Sequence, residues 1–97
     1  MKFDESTEFQ WDEGNKEKNW LKHQVIMSEC EEIFFDDQKI ALKDVLHSEK
    51  EKRLIIFGKT KKDRLLFVVY TKRNTKIRII SARDADKKEK KMYEKNA

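Results

Sequence analysis

The 97 residues allow one domain with a thin core, since hydrophobic residues make up 37% of the chain and charged residues 43%. A single cysteine, Cys30, excludes an internal disulfide framework and a Cys-rich zinc site, and fits a reducing, cytoplasmic setting. No apolar run approaches the roughly 20 residues of a membrane helix, and the acidic stretch from Met1 to Glu8 lacks the apolar centre of a signal peptide.

The formal net charge of +4 conceals a division. Residues 1–51 hold 7 Lys against 14 Asp plus Glu, whereas residues 52–97 hold 16 Lys plus Arg against 5 Asp plus Glu. A basic half of this kind is either a solvated surface or a seat for a polyanion. The strongest strand patterns fall in that same half, which sets the cations on a rigid frame and favours nucleic acid.

In chain order, residues 1–8 are expected to form a flexible extension and residues 9–97 a single domain. Phe9 and Trp11 alternate around Gln10 as in a short strand. Asp12 reads as an N-cap for a helix from about Glu13 to His23. On it Asn15, Asn19, Lys22 and His23 share one face. Ser28-Glu29-Cys30-Glu31 reads as a capping box opening a second helix to about Phe35, with Met27, Cys30, Ile33 and Phe34 as its apolar side. Ile40, Leu42 and Val45 suggest a strand. Three stronger strands follow near 52–60, 64–72 and 76–83, rich in β-branched and aromatic residues. The gaps Lys61-Lys62-Asp63 and Arg73-Asn74-Thr75 are short enough for hairpins, so an antiparallel meander is predicted. Asp86 and Glu89 are spaced as N-cap and N3 of a last helix near 87–95, with Met92 and Tyr93 facing inward. The whole is an α+β domain: an antiparallel sheet, two helices before it and one after.

Which side chains suit chemistry on RNA follows from what cleavage without a metal requires. A 2′-hydroxyl attacks the neighbouring phosphorus, so one group must take a proton and another must stabilise charge on the phosphate oxygens. All five arginines, Arg53, Arg64, Arg73, Arg78 and Arg83, lie after residue 52. Guanidinium groups stay charged and bond two oxygens at once. Arg78 interrupts an apolar strand with its side chain opposite to Ile77 and Ile79, facing either a ligand or a partner carboxylate. Arg64 begins a strand and Arg83 ends one. His23, beside Lys22, is either a helix C-terminal residue answering the dipole or, with Lys22, the proton carrier; His47 is a reserve candidate. Tyr70 and Tyr93 are either packed in the core or stacked on a base. Lys87 and Lys91 on the last helix either face solvent or guide RNA. Trp11 and Trp20 are expected to pack, and Cys30 to be a small buried hydrophobe. The sequence contains no Walker loop, Rossmann glycine pattern or HExxH, and no cofactor is expected.

Two strings carry more than composition. One is Trp11-Asp12-x-Gly14-Asn15-x-x-Lys18-Asn19-x-x-Lys22-His23, preceded by Phe9 and followed by Val25 and Glu31-Glu32-Ile33-Phe34-Phe35-Asp36. The other runs Gly58-Lys59-Thr60, Asp63-Arg64-Leu65-Leu66, Val69-Tyr70-Thr71 and Ile77-Arg78-Ile79-Ile80-Ser81-Ala82-Arg83, ending with Glu89 and Tyr93. Together, from about residue 9 to 95, they resemble the BrnT toxin family. The resemblance implies a RelE-like fold and a metal-independent endoribonuclease that inhibits translation. It further implies neutralisation by a BrnA-like ribbon-helix-helix antitoxin, in a heterotetramer that meets promoter DNA only through the antitoxin. Carried over by position, it implies Lys22, His23, Arg64, Arg78, Arg83 and Tyr93 as catalytic residues. Arg53, Tyr70, Arg73, Lys87 and Lys91 are the accompanying RNA-binding candidates. Gln24 departs from the pattern, standing where the family often has glycine, which bears on the turn after His23. The alternatives are a non-catalytic module of the same fold that binds nucleic acid or antitoxin, and a purely structural partner, which leaves the arginines unexplained.

Overall fold

The computed structural model describes residues 7–11, 23–43 and 52–96. Of the expected helix from Glu13, only His23 lies among them, in helical conformation; Lys22, Trp20, Val45 and His47 fall outside.

A five-stranded sheet carries the fold. In chain order its strands are β1 (Glu8–Gln10), β2 (Ile40–Lys43), β3 (Arg53–Lys59), β4 (Leu65–Arg73) and β5 (Lys76–Asp84), arranged β1-β5-β4-β3-β2 across the sheet. Helix α1 (Met27–Glu32) and a following 3-10 turn (Ile33–Phe35) precede β2, and helix α2 (Lys87–Asn96) follows β5. Among the described residues the α-helices thus number two, against the three expected.

Strands β2 to β5 form the predicted antiparallel meander. Asp63 and Asn74 turn its β3–β4 and β4–β5 hairpins at φ 64° and 55°, a conformation their short polar side chains tolerate. The sheet is nevertheless mixed. β1 pairs parallel with β5, Phe9 opposite Ile77 and Gln10 opposite Arg78. No hairpin links these two strands; Phe9 is drawn to the β5 edge by its edge-on contacts with Phe34, centroids 5.2 Å apart, and Phe35, at 6.4 Å. β1 begins at Glu8, inside the expected extension.

Alternation divides the sheet into two faces. Ile56, Leu66, Val68, Tyr70, Ile77, Ile79 and Ala82 point to one side and are buried under Val25, Cys30, Ile33 and Phe34. Burying each large apolar side chain here contributes about 1.5–3 kcal/mol. Gly58 lies on that face beneath the 3-10 turn, where a Cβ would sit 3.1 Å from the Ile33 carbonyl oxygen. A register shift between Val69 and Tyr70 leaves Ile80 as an extra residue, since Val69 pairs with Ser81 but Tyr70 with Ile79.

The start of α1 differs from expectation. Its N-cap is Ile26, not Ser28, and Glu29 accepts the Ile26 amide at 3.2 Å. Gln24 takes φ 53°, and the chain then extends so that Val25 drops into the core; the helix begins as soon as that is done. Glu31, expected to close the box, accepts instead from Trp11 Nε1 at 2.9 Å. The cap of α2 matches its prediction. The Asp86 amide donates to Glu89 Oε1 at 2.8 Å and the Glu89 amide to Asp86 Oδ1 at 2.9 Å. Tyr93 is buried as expected, but Met92 is 44% exposed.

Candidate RNA-binding and catalytic site

The side of the sheet opposite α1 gathers four of the five arginines. Cross-strand neighbours share a face, and the register sets Arg53 opposite Thr71, Thr71 opposite Arg78 and Arg78 opposite Gln10. This row crosses β3, β4, β5 and β1 with Thr71 between the two arginines. At the usual strand spacing Arg53 and Arg78 stand about 10 Å apart. Arg73, paired with Lys76, continues the same face one step further. Arg78 is half-buried between the buried Ile77 and Ile79, on the side opposite to theirs, as the alternation predicted. Thr71 is buried and donates its hydroxyl to the Lys52 carbonyl oxygen at 3.0 Å.

Arg83 is on this face too, four β4 steps from Arg78 by the register, or about 13 Å. Its guanidinium lies over the Phe67 ring, 4.0 Å from the centroid, and Phe67 stacks on Phe57 at 6.2 Å. Glu89 holds it bidentately, Nη1 donating to Oε1 at 2.8 Å and Nη2 to Oε2 at 2.9 Å. The Glu89 carboxylate raises the arginine's pKa further above its ordinary value. One oxygen of Glu89 also caps α2, so this ion pair ties the end of the sheet to the start of the last helix.

Arg64 lies elsewhere. It stands just before β4 and reaches the helix-covered side. Nε and Nη2 donate to the two carboxylate oxygens of Asp84 at 2.7 and 3.1 Å. Nη1 donates to Glu29 at 3.1 Å and to the Gln24 carbonyl oxygen at 3.0 Å, and Nη2 to the His23 carbonyl oxygen at 3.1 Å. All five N–H groups of a guanidinium are thereby satisfied. The Asp84 bonds, then Glu29, push the Arg64 pKa up despite its partial burial. Asp84 moves the opposite way, held below the ordinary carboxylate value by Arg64 and, more weakly, by His23. His23 is half-buried at this rim.

Tyr93 is committed as well. Its hydroxyl donates to Asp36 Oδ2 at 2.6 Å, and Lys59 Nζ lies 5.5 Å from its ring centroid. Burial, then the Asp36 bond, raise the Tyr93 pKa. Burial alone would raise Asp36 too, but the Lys59 amide, the Tyr93 hydroxyl and the Gln38 amide outweigh it and hold the carboxyl below its ordinary value.

Tyr70 corrects an expectation. It is fully buried, edge-on to Phe34 at 5.0 Å, and its hydroxyl has no hydrogen-bond partner among the described residues. It therefore cannot stack on a base; its place in the alternation Leu66, Val68, Tyr70 carries the signal that it belongs to the core. Cys30 is buried, and desolvation, then Glu29 and Glu31, push its thiol up to about 12. Lys87 and Lys91 are exposed on α2.

The candidates thus separate. Arg53, Arg73 and Arg78 share the face opposite α1 with Arg83, while His23, Arg64, Arg83 and Tyr93 all lie toward the end of the sheet where β4 begins and β5 finishes. Sequence reading missed the carboxylates that organise that end: Glu29, Asp36, Asp84 and Glu89. Only the Asp86–Glu89 spacing gave a local sign of one of them.

A model of the family described as the ribonuclease toxin BrnT of type II toxin–antitoxin systems matches residues 11–89. Among solved structures, the ribonuclease toxin BrnT of Brucella abortus superposes with a TM-score of 0.59 at 19% identity, covering 84% of this chain and 100% of that one. At that identity the likeness is one of fold. No curated protein matches the sequence.

Proposed function

Because the chain belongs to the BrnT family of ribonuclease toxins of type II toxin–antitoxin systems, we propose that it is a metal-independent endoribonuclease that inhibits translation. Its fold on this reading is a RelE-like variant, and a BrnA-like ribbon-helix-helix antitoxin neutralises it in a cytoplasmic heterotetramer. Promoter DNA is met only through that antitoxin.

The observation that carries the reading is the row Arg53–Thr71–Arg78 on the sheet face opposite α1. Two guanidinium groups about 10 Å apart, on the rigid strands that flank β4, suit phosphates of a single strand, and Arg73, Lys87 and Lys91 add positive potential. From there the RNA runs along β5 toward Arg83 and the rim that carries His23. His23, with Lys22 beside it in sequence, takes the 2′-hydroxyl proton and returns one to the leaving 5′-oxygen. Of the guanidinium groups on that face, Arg83 at the rim stabilises the charge that builds on the scissile phosphate, while Arg53 and Arg78 hold the RNA strand at the other end of β5. Arg83 contributes through the edge of its guanidinium not taken by Glu89. Tyr93 anchors α2 beside the site.

A specific observation favours a second reading, a non-catalytic module of the same fold. Arg64, Arg83 and Tyr93 are each paired with a carboxylate, which a protein that had lost its chemistry would also show.

Induced expression followed by growth and RNA integrity, wild type beside Arg78→Ala, separates the two. Growth arrest with RNA loss, abolished by Arg78→Ala in a folded protein, supports the nuclease. Unimpaired growth with intact RNA supports the module. Purified wild-type protein is expected to cleave single-stranded RNA in the presence of a chelator, and a requirement for added divalent metal would contradict the mechanism.

A further inference from the structure

We propose that Arg64 is a positioning residue for His23, holding the His23–Gln24 turn in place instead of contacting RNA. This rests on the reading of His23 as the proton carrier.

Arg64 joins four separate parts of the chain. It meets the carbonyl oxygens of His23 and Gln24, the carboxylate of Glu29 in the first turn of α1, and that of Asp84 at the end of β5. Its own backbone is fixed by Thr60, whose carbonyl and hydroxyl oxygens close the β3–β4 turn: Asp63 N donates to the former at 3.0 Å and Arg64 N to the latter at 3.1 Å. No N–H of the guanidinium remains to hold a phosphate.

The turn it holds needs a restraint. Gln24 takes φ 53°, which glycine adopts at no steric cost and glutamine does not. Both peptide carbonyls at this strained point, His23 and Gln24, accept from Arg64. The imidazole therefore hangs from a backbone turn whose two oxygens are pinned to the sheet. Lysine carries a point charge with three donors and cannot span both carbonyls and both carboxylates.

The test is steady-state cleavage of a single-stranded RNA oligonucleotide by Arg64→Lys, Gln24→Gly, the double variant and His23→Ala. Arg64→Lys is expected to lower kcat roughly 10- to 100-fold, the scale of a misplaced catalytic group, with KM and the salt dependence of binding unchanged. Adding Gln24→Gly is expected to recover part of that loss, because glycine adopts the turn without restraint. In the His23→Ala background, Arg64→Lys is expected to lower kcat no further. A raised KM with a shallower salt dependence, or an equal loss in the His23→Ala background, would overturn the inference and make Arg64 a phosphate ligand. If His23→Ala cleaves as well as wild type, the reading of His23 itself is wrong, and the positioning role falls with it.

A second measurement needs no turnover. The His23 imidazole resonances are expected to move in Arg64→Lys and to return toward wild type in the double variant; unchanged resonances would overturn the inference. If Arg64→Lys fails to fold, Glu29→Gln loosens the same anchor with its shape kept, and the same pattern is expected at smaller size.

Discussion

The Tyr93 hydroxyl donates to Asp36 Oδ2 at 2.6 Å, linking α2 to a carboxylate 57 positions earlier in the chain. The same oxygen accepts the Lys59 amide at 2.8 Å, so one carboxylate fastens the last helix, the end of β3 and the close of the 3-10 turn. Tyr93→Phe is expected to cost about 1–2 kcal/mol, the range for a bond to a charged acceptor that is partly exposed. Chemical denaturation checks the loss. RNA cleavage by the folded variant is expected to stay within a few-fold of wild type, since the Tyr93 hydroxyl is committed to donating to Asp36.

Stability is expected to fall on acidification. Asp36 and Asp84 are both held below their ordinary values in the folded protein. Below the unfolded carboxylate pKa of about 3.9 the unfolded chain binds more protons than the native one. The stabilisation these residues supply is therefore present above that pH and is lost as pH falls through their folded values. Melting temperatures measured from neutral pH downward should show the decline, and Asp36→Asn or Asp84→Asn should flatten it while lowering the plateau.

Gln24→Gly is expected to raise stability by about 0.5–1 kcal/mol, because it relieves a left-handed backbone at the end of a helix. Differential scanning calorimetry of the single variant gives the sign directly. An unchanged or lowered melting temperature would show that the turn carries no strain.

Gly58→Ala should act in the opposite direction. Its added Cβ would stand 3.1 Å from the Ile33 carbonyl oxygen, 3.2 Å from Asp36 Oδ2 and 3.3 Å from Lys39 Cβ. Each neighbour must yield, and Asp36 is already bonded on that oxygen. A loss of about 1–2 kcal/mol is expected, within the range for overpacking, read from the denaturant midpoint.

Cys30 is expected to resist alkylation by iodoacetamide at mildly alkaline pH in the native protein and to react once denaturant is added. It is fully buried and its thiol is pushed up to about 12.

Where the sequence was legible, the signals were local. The three meander strands follow from alternation and from Asp63 and Asn74 at the turns, and the start of α2 from the Asp86–Glu89 spacing. The misses are long-range. The parallel partner of Phe9 lies at Ile77, and nothing in either short stretch announces the other. Arg64 was read by residue type, and its true surroundings, Glu29 and Asp84, lie 35 and 20 positions away. The start of α1 differs because Ser28 and Glu31 have the right spacing for a cap, while the backbone reversal at Gln24 is marked only by the glycine that the family pattern often has there. The row Arg53–Thr71–Arg78 was half legible: the strands that bear Arg53 and Arg78 were evident, but their common rank required the register.

The parallel pairing of Glu8–Gln10 with Lys76–Arg78 also dictates an order of assembly. On the ribosome, β1 has no place to dock until residues 76–78 have been translated. The meander can form hairpin by hairpin as it emerges, whereas β1 must close a loop of most of the chain, and such closures are slow. Arg78 is the residue that Gln10 finally meets, so the row Arg53–Thr71–Arg78–Gln10 is completed only when that pairing forms.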